Sequence, residues 1–174
     1  MMVIAMMVNV DFEALVDAHS RELYAYLWRM LGNAAEAQDC LQESYFKAYR
    51  AYGRLDETAN TRAWLYKIAT NTGLTWLKKR GLMDRRSVDF VEGLASHGAG
   101  VEAQVEIRVR LAEVHAAVQR LPDKQRAALM LRKYHEMDYA EIGAALSCSP
   151  ESARANVYQG LKKLRDQLVD EVAG

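Results

Sequence analysis

The chain has 174 residues, 51% hydrophobic and 26% charged, a composition that is typical of a folded globular protein and excludes a disordered one. Only two prolines and ten glycines occur, which favours helices over a β fold with many turns. The 23 basic residues balance 23 acidic ones, and a net charge of zero on its own argues against a protein that binds nucleic acid.

The chain begins with eight apolar residues, Met1 to Val8. This run is too short to span a bilayer, which needs about 20 residues, and it lacks the basic start and cleavage site of a signal peptide. We expect a frayed extension or an upstream start codon, with Met2, Met6 and Met7 as alternative starts; a weak docking segment is the other interpretation. No other window reaches membrane-spanning length, which predicts a cytoplasmic protein with no direct membrane insertion.

Three helices are predicted in the first half from the spacing of the apolar residues. They cover residues 11–31, 34–52 and 61–81. Gly32 and Gly53 end the first two, and Asn60 or Thr61 can cap the third. The periodicity fails over residues 84–100, which is typical of a linker.

Helical periodicity resumes at Val101, and Val114, Val118 and Leu121 are the clearest core positions of that helix. Three more helices are predicted beyond Pro122. We expect their buried residues to be Ala127, Met130, Leu131, Tyr134, Tyr139, Ile142, Gly143, Leu146, Ala153, Val157, Leu161, Leu164 and Leu168.

The last two helices have the spacing of a helix-turn-helix. Asp138 and Glu141 form a variant of the capping box, and Ser149 precedes Pro150 as an N-cap would. Many helical bundles contain such a pair, so the exposed face has to decide between DNA binding and a solvated helix. That face carries Glu151, Arg154, Ala155, Asn156, Tyr158, Gln159 and Lys162, and Lys163 and Arg165 follow at its far end. Arg, Asn and Gln can make bidentate contacts with base edges and Lys can contact phosphates, so we predict DNA binding.

The charges are unevenly distributed along the chain. The net charge is +6 over residues 62–86, +3 over residues 147–165 and −5 over residues 9–43. Basic segments of this size are typical of nucleic-acid-binding surfaces, whereas the acidic segment indicates a protein partner.

Two helix faces in the first half are candidate interfaces. The outward face of the second helix carries Asp39, Gln42, Glu43, Phe46 and Arg50. An aromatic residue among charges indicates a protein interface, and a partly covered Phe is the more common alternative. One edge of the third helix combines basic and aromatic residues, which suits single-stranded DNA. Its residues include Arg62, Trp64, Lys67, Asn71, Lys78, Lys79 and Arg80. Taken alone, Trp64 is better interpreted as a core residue than as a stacking platform.

No arrangement of residues indicates catalysis. Cys40 and Cys148 lie far apart without a CxxC spacing, and the four histidines are scattered. No Ser/His/Asp triad, HExxH motif or glycine-rich phosphate loop is present. We therefore expect no enzyme activity, no catalytic residue, no metal, no cofactor and no small-molecule substrate.

Several motifs resemble those of bacterial RNA polymerase sigma factors of the sigma-70 family, in the extracytoplasmic-function (ECF) group. In region 2 of that family the similar motifs are DCLQE from Asp39 and WLYKIATN from Trp64, followed by the basic cluster that ends at Arg80. In region 4 they are LP at Leu121 with Gln125-Arg126, then DYAEIG from Asp138, and Leu164-Arg165. The resemblance covers about residues 11–80 and 105–169.

The resemblance implies an all-α fold of two small helical domains. Region 2 would be a bundle of three to four helices over residues 11–82, and residues 83–104 would be a linker. Region 4, with the helix-turn-helix, would cover residues 105–170. The implied function is to bind core RNA polymerase at the β′ clamp and the β flap, and to direct promoter recognition, DNA melting and transcription initiation. An anti-sigma factor is an implied partner.

The resemblance also implies a role for each candidate residue. The core-polymerase-binding residues would be Asp39, Gln42, Glu43 and Phe46. The −10 element would be bound by Arg62, Trp64, Lys67, Asn71, Lys78, Lys79 and Arg80. The −35 element would be bound by Arg154, Ala155, Tyr158, Gln159, Lys162 and Lys163. The family more usually has Arg-Ala where Gln159-Gly160 stands, so this chain departs from it in the last helix.

A helix-turn-helix regulator that acts without polymerase is the alternative interpretation. It would bind operators as a dimer. It leaves the acidic face of the second helix and the basic third helix unexplained.

Overall fold

The structure is a computed structural model that describes the backbone of residues 2–56, 58–81 and 101–173, and the side chains of residues 11–56, 58–81 and 105–169. In these ranges the chain forms α-helices and no strand, as the all-α prediction requires. The helices are α1 Met2–Leu31, α2 Ala34–Tyr52, α3 Thr61–Gly81, α4 Val101–Gln119, α5 Asp123–Tyr134, α6 Tyr139–Leu146 and α7 Pro150–Ala173.

The helices end at residues that break or cap a helix. Gly32 adopts a φ of +74°, which glycine reaches without strain, and its N–H donates to the carbonyl of Trp28. Asn33 then caps α2 by accepting the N–H of Glu36 at 2.9 Å. The start of α1 differs from the prediction. The helix begins at Met2 rather than near residue 11, because no glycine or proline interrupts the first ten residues.

Helices α1, α2 and α3 pack around one apolar core. Its buried members include Leu23, Leu27, Met30, Ala37, Cys40, Leu41, Leu65, Ala69 and Leu77. The absence of a side chain at Gly73 lets α3 approach α1, since a Cβ there would lie 3.0 Å from the Met30 sulfur. This bundle positions the outward face of α2 and the exposed edge of α3.

Helices α5, α6 and α7 form the second packed unit, and α5 against α7 is its most extensive contact. The capping box is confirmed, because the Asp138 carboxylate accepts the Glu141 N–H at 2.8 Å and the Glu141 carboxylate accepts the Asp138 N–H at 3.0 Å. The turn between α6 and α7 requires glycine at position 143. A Cβ there would lie 2.7 Å from the carbonyl oxygen of Cys148.

Three residues that we expected in the core lie at the surface. Val114 is exposed; α4 packs mainly against α1 and α7, and Val114 lies on the side that these helices leave uncovered. Leu161 is exposed on α7. Tyr134 is also exposed, and the guanidinium of Arg29 covers one face of its ring at 4.2 Å from the centroid.

The two halves of the chain pack directly on each other. Helix α3 contacts α6 and α5, and α1 contacts α4 and α5. The sequence predicted two domains and a linker, but it did not predict this contact. Helix α4 begins at Val101, inside the range 83–104 that we predicted as linker, and residues 82–100 lie outside the described part of the chain.

Polar side chains from three helices converge on the C-terminal end of α1. Arg80 of α3 donates to the carbonyl of Leu31 at 2.8 Å, and Gln119 of α4 donates to the carbonyl of Arg29 at 2.7 Å. Arg126 of α5 donates to the carbonyl of Met30. The last carbonyls of a helix have no partner within the helix and carry partial negative charge, so two guanidinium groups and one amide satisfy them here.

Replacing Arg126 with Ala is expected to lower the free energy of unfolding by about 2–4 kcal/mol. Arg126 is 4% exposed, and its guanidinium also donates to the carbonyls of Gln119 and Leu121, so the variant leaves several buried acceptors without a donor. Urea unfolding followed by circular dichroism measures the change. Lys124→Ala, an exposed basic residue on the same helix, is the matched control and should change stability by less than about 0.5 kcal/mol. Equal losses in the two variants would contradict this role.

Candidate polymerase and DNA interfaces

The outward face of α2 presents three of the four residues that we predicted to bind core polymerase. Asp39, Gln42 and Phe46 are exposed, and the Phe46 side chain is 64% accessible. The guanidinium of Arg50 lies 5.7 Å from the centroid of the Phe46 ring. An aromatic ring this exposed is costly in water and is typical of a surface that binds another protein.

Glu43 is placed differently from the other three. Its carboxylate accepts a hydrogen bond from the indole N–H of Trp76 at 2.7 Å and forms an ion pair with Lys47 at 2.7 Å. The hydrogen bonds from Lys47 and Trp76 lower the pKa of Glu43 below its usual value. Within this structure Glu43 therefore links α2 to α3 at the edge of the exposed face.

The sequence analysis missed one residue of this face. Tyr49 is exposed, three residues after Phe46, and its ring meets the buried Phe12 edge to face at 5.3 Å between centroids. The helical spacing from Phe46 was the signal that could have identified it. The exposed face therefore extends over two aromatic residues rather than one.

The exposed edge of α3 carries four of the seven residues that we predicted to bind the −10 element. Lys67, Asn71, Lys78 and Lys79 are all exposed. Trp64 is half-buried, and its ring is tilted against that of Tyr52 with 6.3 Å between the centroids. This edge therefore combines positive charge with one partly accessible ring.

Arg62 and Arg80 are partly buried, and their guanidinium groups are paired with other residues of the protein. The Arg62 guanidinium donates to Glu22 at 3.1 Å and to the carbonyl of His135 at 3.2 Å. Burial acts to raise the pKa of Glu22, but hydrogen bonds from Arg62 and His19 outweigh it and lower that pKa. Arg80 is hydrogen-bonded to Glu36 at 2.6 Å as well as to α1. Both guanidinium groups therefore already have carboxylate and carbonyl partners in this arrangement.

All six residues that we predicted to bind the −35 element lie exposed on α7. They are Arg154, Ala155, Tyr158, Gln159, Lys162 and Lys163. Tyr158 is 69% accessible. Gln159 accepts a hydrogen bond from Gln125 of α5 at 2.9 Å. A helix with this exposed face can enter a major groove.

A buried group of rings joins the two halves next to Arg62. The hydroxyl of Tyr66 and Nδ1 of His135 are 2.7 Å apart, and the Tyr26 ring meets the His135 ring edge to face at 5.5 Å. Burial lowers the pKa of His135 to about 4, from an ordinary value of 6.5. No sequence signal marked His135, because it contacts residues about 70 and 110 positions away.

The protein is expected to lose stability as the pH falls from 6.5 toward 4. Over this range the unfolded chain binds a proton at position 135 that the folded protein does not bind, so stability is fully present above pH 6.5 and declines below it. The slope from one such group is at most about 1.4 kcal/mol per pH unit.

His135→Asn removes the group that binds this proton and keeps a side chain that can hydrogen-bond Tyr66. Its free energy of unfolding, measured in urea from pH 4 to 8, should depend less on pH than that of the unmodified protein. His115, whose pKa is also lowered by burial and by Arg126, contributes to both proteins, so the difference isolates position 135. Parallel pH profiles would show that His135 is not the responsible group.

The described residues contain no group of three His, Cys, Asp or Glu side chains that could hold a metal ion. Within the described ranges, no helix has the length and the apolar composition needed to cross a membrane.

Comparison with known proteins matches both halves of the chain. The family profile for Sigma-70 region 2 matches residues 15–82, and that for Sigma-70, region 4 matches residues 111–164. The ECF RNA polymerase sigma factor SigW of Bacillus subtilis is 32% identical, with 91% of this chain and 89% of SigW aligned. The RNA polymerase sigma-H factor of Pseudomonas aeruginosa is 30% identical, with 90% of this chain and 86% of that factor aligned.

A solved structure shares the fold. It contains the sigma factor RpoE of Bartonella quintana in complex with the anti-sigma factor NepR. The match has a TM-score of 0.73 at 21% identity and covers 91% of this chain and 96% of the other.

Proposed function

Since this chain belongs to the ECF group of the sigma-70 family, and is therefore a promoter-directing transcription initiation factor and not an enzyme, we propose which of its surfaces perform each step. The observation that carries the proposal is the separation of exposed faces. An acidic and aromatic face lies on α2, a basic edge on α3 and a polar and basic face on α7. These three surfaces suit a protein partner, single-stranded DNA and duplex DNA respectively.

The exposed face of α2 binds core RNA polymerase at the β′ clamp. Asp39 and Gln42 supply polar contacts, and Phe46 and Tyr49 supply apolar area that becomes buried on binding. Glu43 contributes by holding α2 against Trp76 of α3. Region 4 binds the β flap, and the uncovered apolar side chains of α4, Ile107, Leu111 and Val114, support an apolar contact there.

The exposed edge of α3 binds the −10 element. Lys67, Lys78 and Lys79 contact the phosphates, and Trp64 stacks against an unpaired base once the strands separate. Arg62 joins this surface only after its contacts with Glu22 and His135 have been exchanged for contacts with DNA.

Binding both promoter elements requires the two halves to separate. The −10 and −35 elements are about 25 base pairs apart, or about 85 Å along B-DNA, whereas a compact chain of this length has a radius of gyration of about 16 Å. In the structure α6 lies against α3, and Asn60 donates to Glu141 at 3.2 Å. The packed arrangement is therefore the form of the protein that is not engaged with a complete promoter.

An anti-sigma factor is the partner that we propose for the packed arrangement. The support is the similar fold of RpoE, which was solved with the anti-sigma factor NepR. We further propose that the protein works in the cytoplasm, where core polymerase and promoter DNA are found.

Run-off transcription with purified core polymerase tests the proposed function. The protein should direct transcription from its promoter, and Phe46→Ala should weaken its binding to core polymerase by about tenfold or more, because the exposed ring becomes buried at the interface. Fluorescence anisotropy of labelled protein titrated with core polymerase measures the affinity.

Arg21→Ala is the control, because Arg21 is an exposed residue of the same bundle that lies on α1 and not on α2. Its affinity for core polymerase should stay unchanged. If the protein binds duplex DNA but not core polymerase, the polymerase-independent regulator becomes the better interpretation.

Replacing Arg154 with Ala tests the −35 surface. Loss of one base-edge contact should reduce binding of the holoenzyme at one position of the −35 element by about 1–3 kcal/mol. Competition binding with single-base substitutions of the promoter measures the effect position by position. A uniform loss over all sequences would identify Arg154 as a phosphate contact instead.

A further inference from the structure

We propose that Gln159 reads an adenine of the −35 element and that Gln125, on α5, is the positioning residue that orients the Gln159 amide. The inference rests on the proposed role of α7 and adds to it a preferred base and a supporting residue. Three features carry it: the hydrogen bond between the two glutamines, the glycine that follows Gln159, and the hydrogen-bonding groups that remain available on Gln159.

The two glutamines connect a buried position to an exposed one. Nε2 of Gln125 donates to Oε1 of Gln159 over 2.9 Å. Gln125 is 9% exposed and belongs to the helix that packs most extensively against α7, whereas Gln159 lies on the exposed face. The hydrogen bond therefore ties a flexible surface side chain to a rigid part of the core.

Gly160 makes this contact geometrically available. A Cβ at position 160 would lie 3.2 Å from the backbone carbonyl oxygen of Gln125 and 3.5 Å from its Cβ. That distance is closer than such contacts normally are, so an alanine would push α7 away from α5 by a few tenths of an ångström. Without the Cβ, the two helix backbones approach at the point where Gln125 meets Gln159. Gln159 and Gly160, which replace the family's more usual Arg-Ala, therefore both contribute to the same contact between α7 and α5.

The remaining groups of the Gln159 amide match adenine. A glutamine amide has two N–H donors and an oxygen with two lone pairs, and Gln125 occupies one lone pair. The other lone pair and both donors remain, and no described residue hydrogen-bonds the amide nitrogen. Adenine presents an acceptor, N7, beside a donor, N6, and glutamine pairs with both; guanine presents two acceptors, which suit arginine better.

The bond to Gln125 opposes a half-turn of the Gln159 amide by itself and couples the orientation of that amide to the orientation of Gln125. A half-turn about the last side-chain bond would exchange the positions of donor and acceptor and would bring two donors, from Gln125 and Gln159, together. Holding the side chain before DNA arrives also reduces the conformational entropy lost on binding. Ala155, one helical turn before Gln159, has a small side chain that leaves room for a base edge.

Gln125 can be replaced without a large loss of stability. Its Oε1 is buried and has no hydrogen-bond partner among the described residues. Gln125→Leu removes this unsatisfied atom along with the donor, so the fold should tolerate the change. The variant therefore separates orientation of Gln159 from stability of the helix pair.

The experiment measures base preference with the complete holoenzyme. Core polymerase is assembled with unmodified protein, Gln159→Ala, Gln125→Leu or the double variant, and binding is selected from promoter DNA with a randomised −35 element. The unmodified protein should prefer adenine at one position by about 5- to 150-fold. Gln159→Ala should abolish that preference alone, and Gln125→Leu should weaken it severalfold.

The double variant distinguishes positioning from a structural effect. Gln125→Leu should change nothing further once Gln159 is Ala, since it acts only through that side chain. A loss of binding in both backgrounds would overturn the positioning role. Gly160→Ala is the second variant and should weaken the same preference, and Lys124→Ala, on the exposed side of α5, should leave it intact.

Two outcomes separate this inference from the proposed function. If Arg154→Ala relaxes the selected sequence while Gln159→Ala leaves it unchanged, only the inference about Gln159 is wrong. If neither variant affects any position, α7 does not read the −35 element, and the proposed −35 surface is wrong as well.

Discussion

The end of one helix determines how this molecule is assembled. The last three carbonyls of α1 accept hydrogen bonds from Arg80, Gln119 and Arg126, which come from α3, α4 and α5. Such carbonyls lie at the negative end of a helix dipole and cannot be satisfied within the helix, so burying them requires donors from elsewhere. Arg80 of region 2 meets part of this requirement, and Gln119 and Arg126 of region 4 meet the rest. The contacts that cover the end of α1 therefore also join the two halves.

The second contact between the halves has the same character. Tyr66 and His135 share a hydrogen bond, and Arg62 joins Glu22 to the His135 carbonyl. Each of these polar groups can exchange its protein partner for water or for a ligand when the interface opens. A purely apolar interface would instead expose hydrophobic surface to water. In the function that we propose, the two regions separate to reach promoter elements about 85 Å apart, so this interface has to open. Polar contacts across it lower the cost of doing so.

The uneven distribution of charge gives a chain of zero net charge an exposed basic surface, but not all of its basic residues belong to that surface. Seven basic residues lie between positions 62 and 86, but the guanidinium groups of Arg62 and Arg80 are occupied by carboxylates and carbonyls of the protein itself. Of the five that the structure describes, Lys67, Lys78 and Lys79 are the ones that are exposed. Arginine suits the internal positions because its planar group donates to several acceptors at once, and lysine suits a mobile phosphate contact. Counting charges along the sequence therefore overestimates the surface that DNA can meet.

The sequence by itself determined the helices apart from the start of α1, the capping box, the helix-turn-helix and the family, because these depend on residues a few positions apart. The capping box of Asp138 and Glu141 and the exposed face of α7 are examples. Only the tertiary structure decided which polar groups are already occupied: Glu43 by Trp76, Arg62 by Glu22 and His135, and the end of α1 by region 4. These partners lie 33 to 96 residues apart. Helical periodicity predicts which side of a helix is buried, but it does not predict which residues of other helices lie against that side.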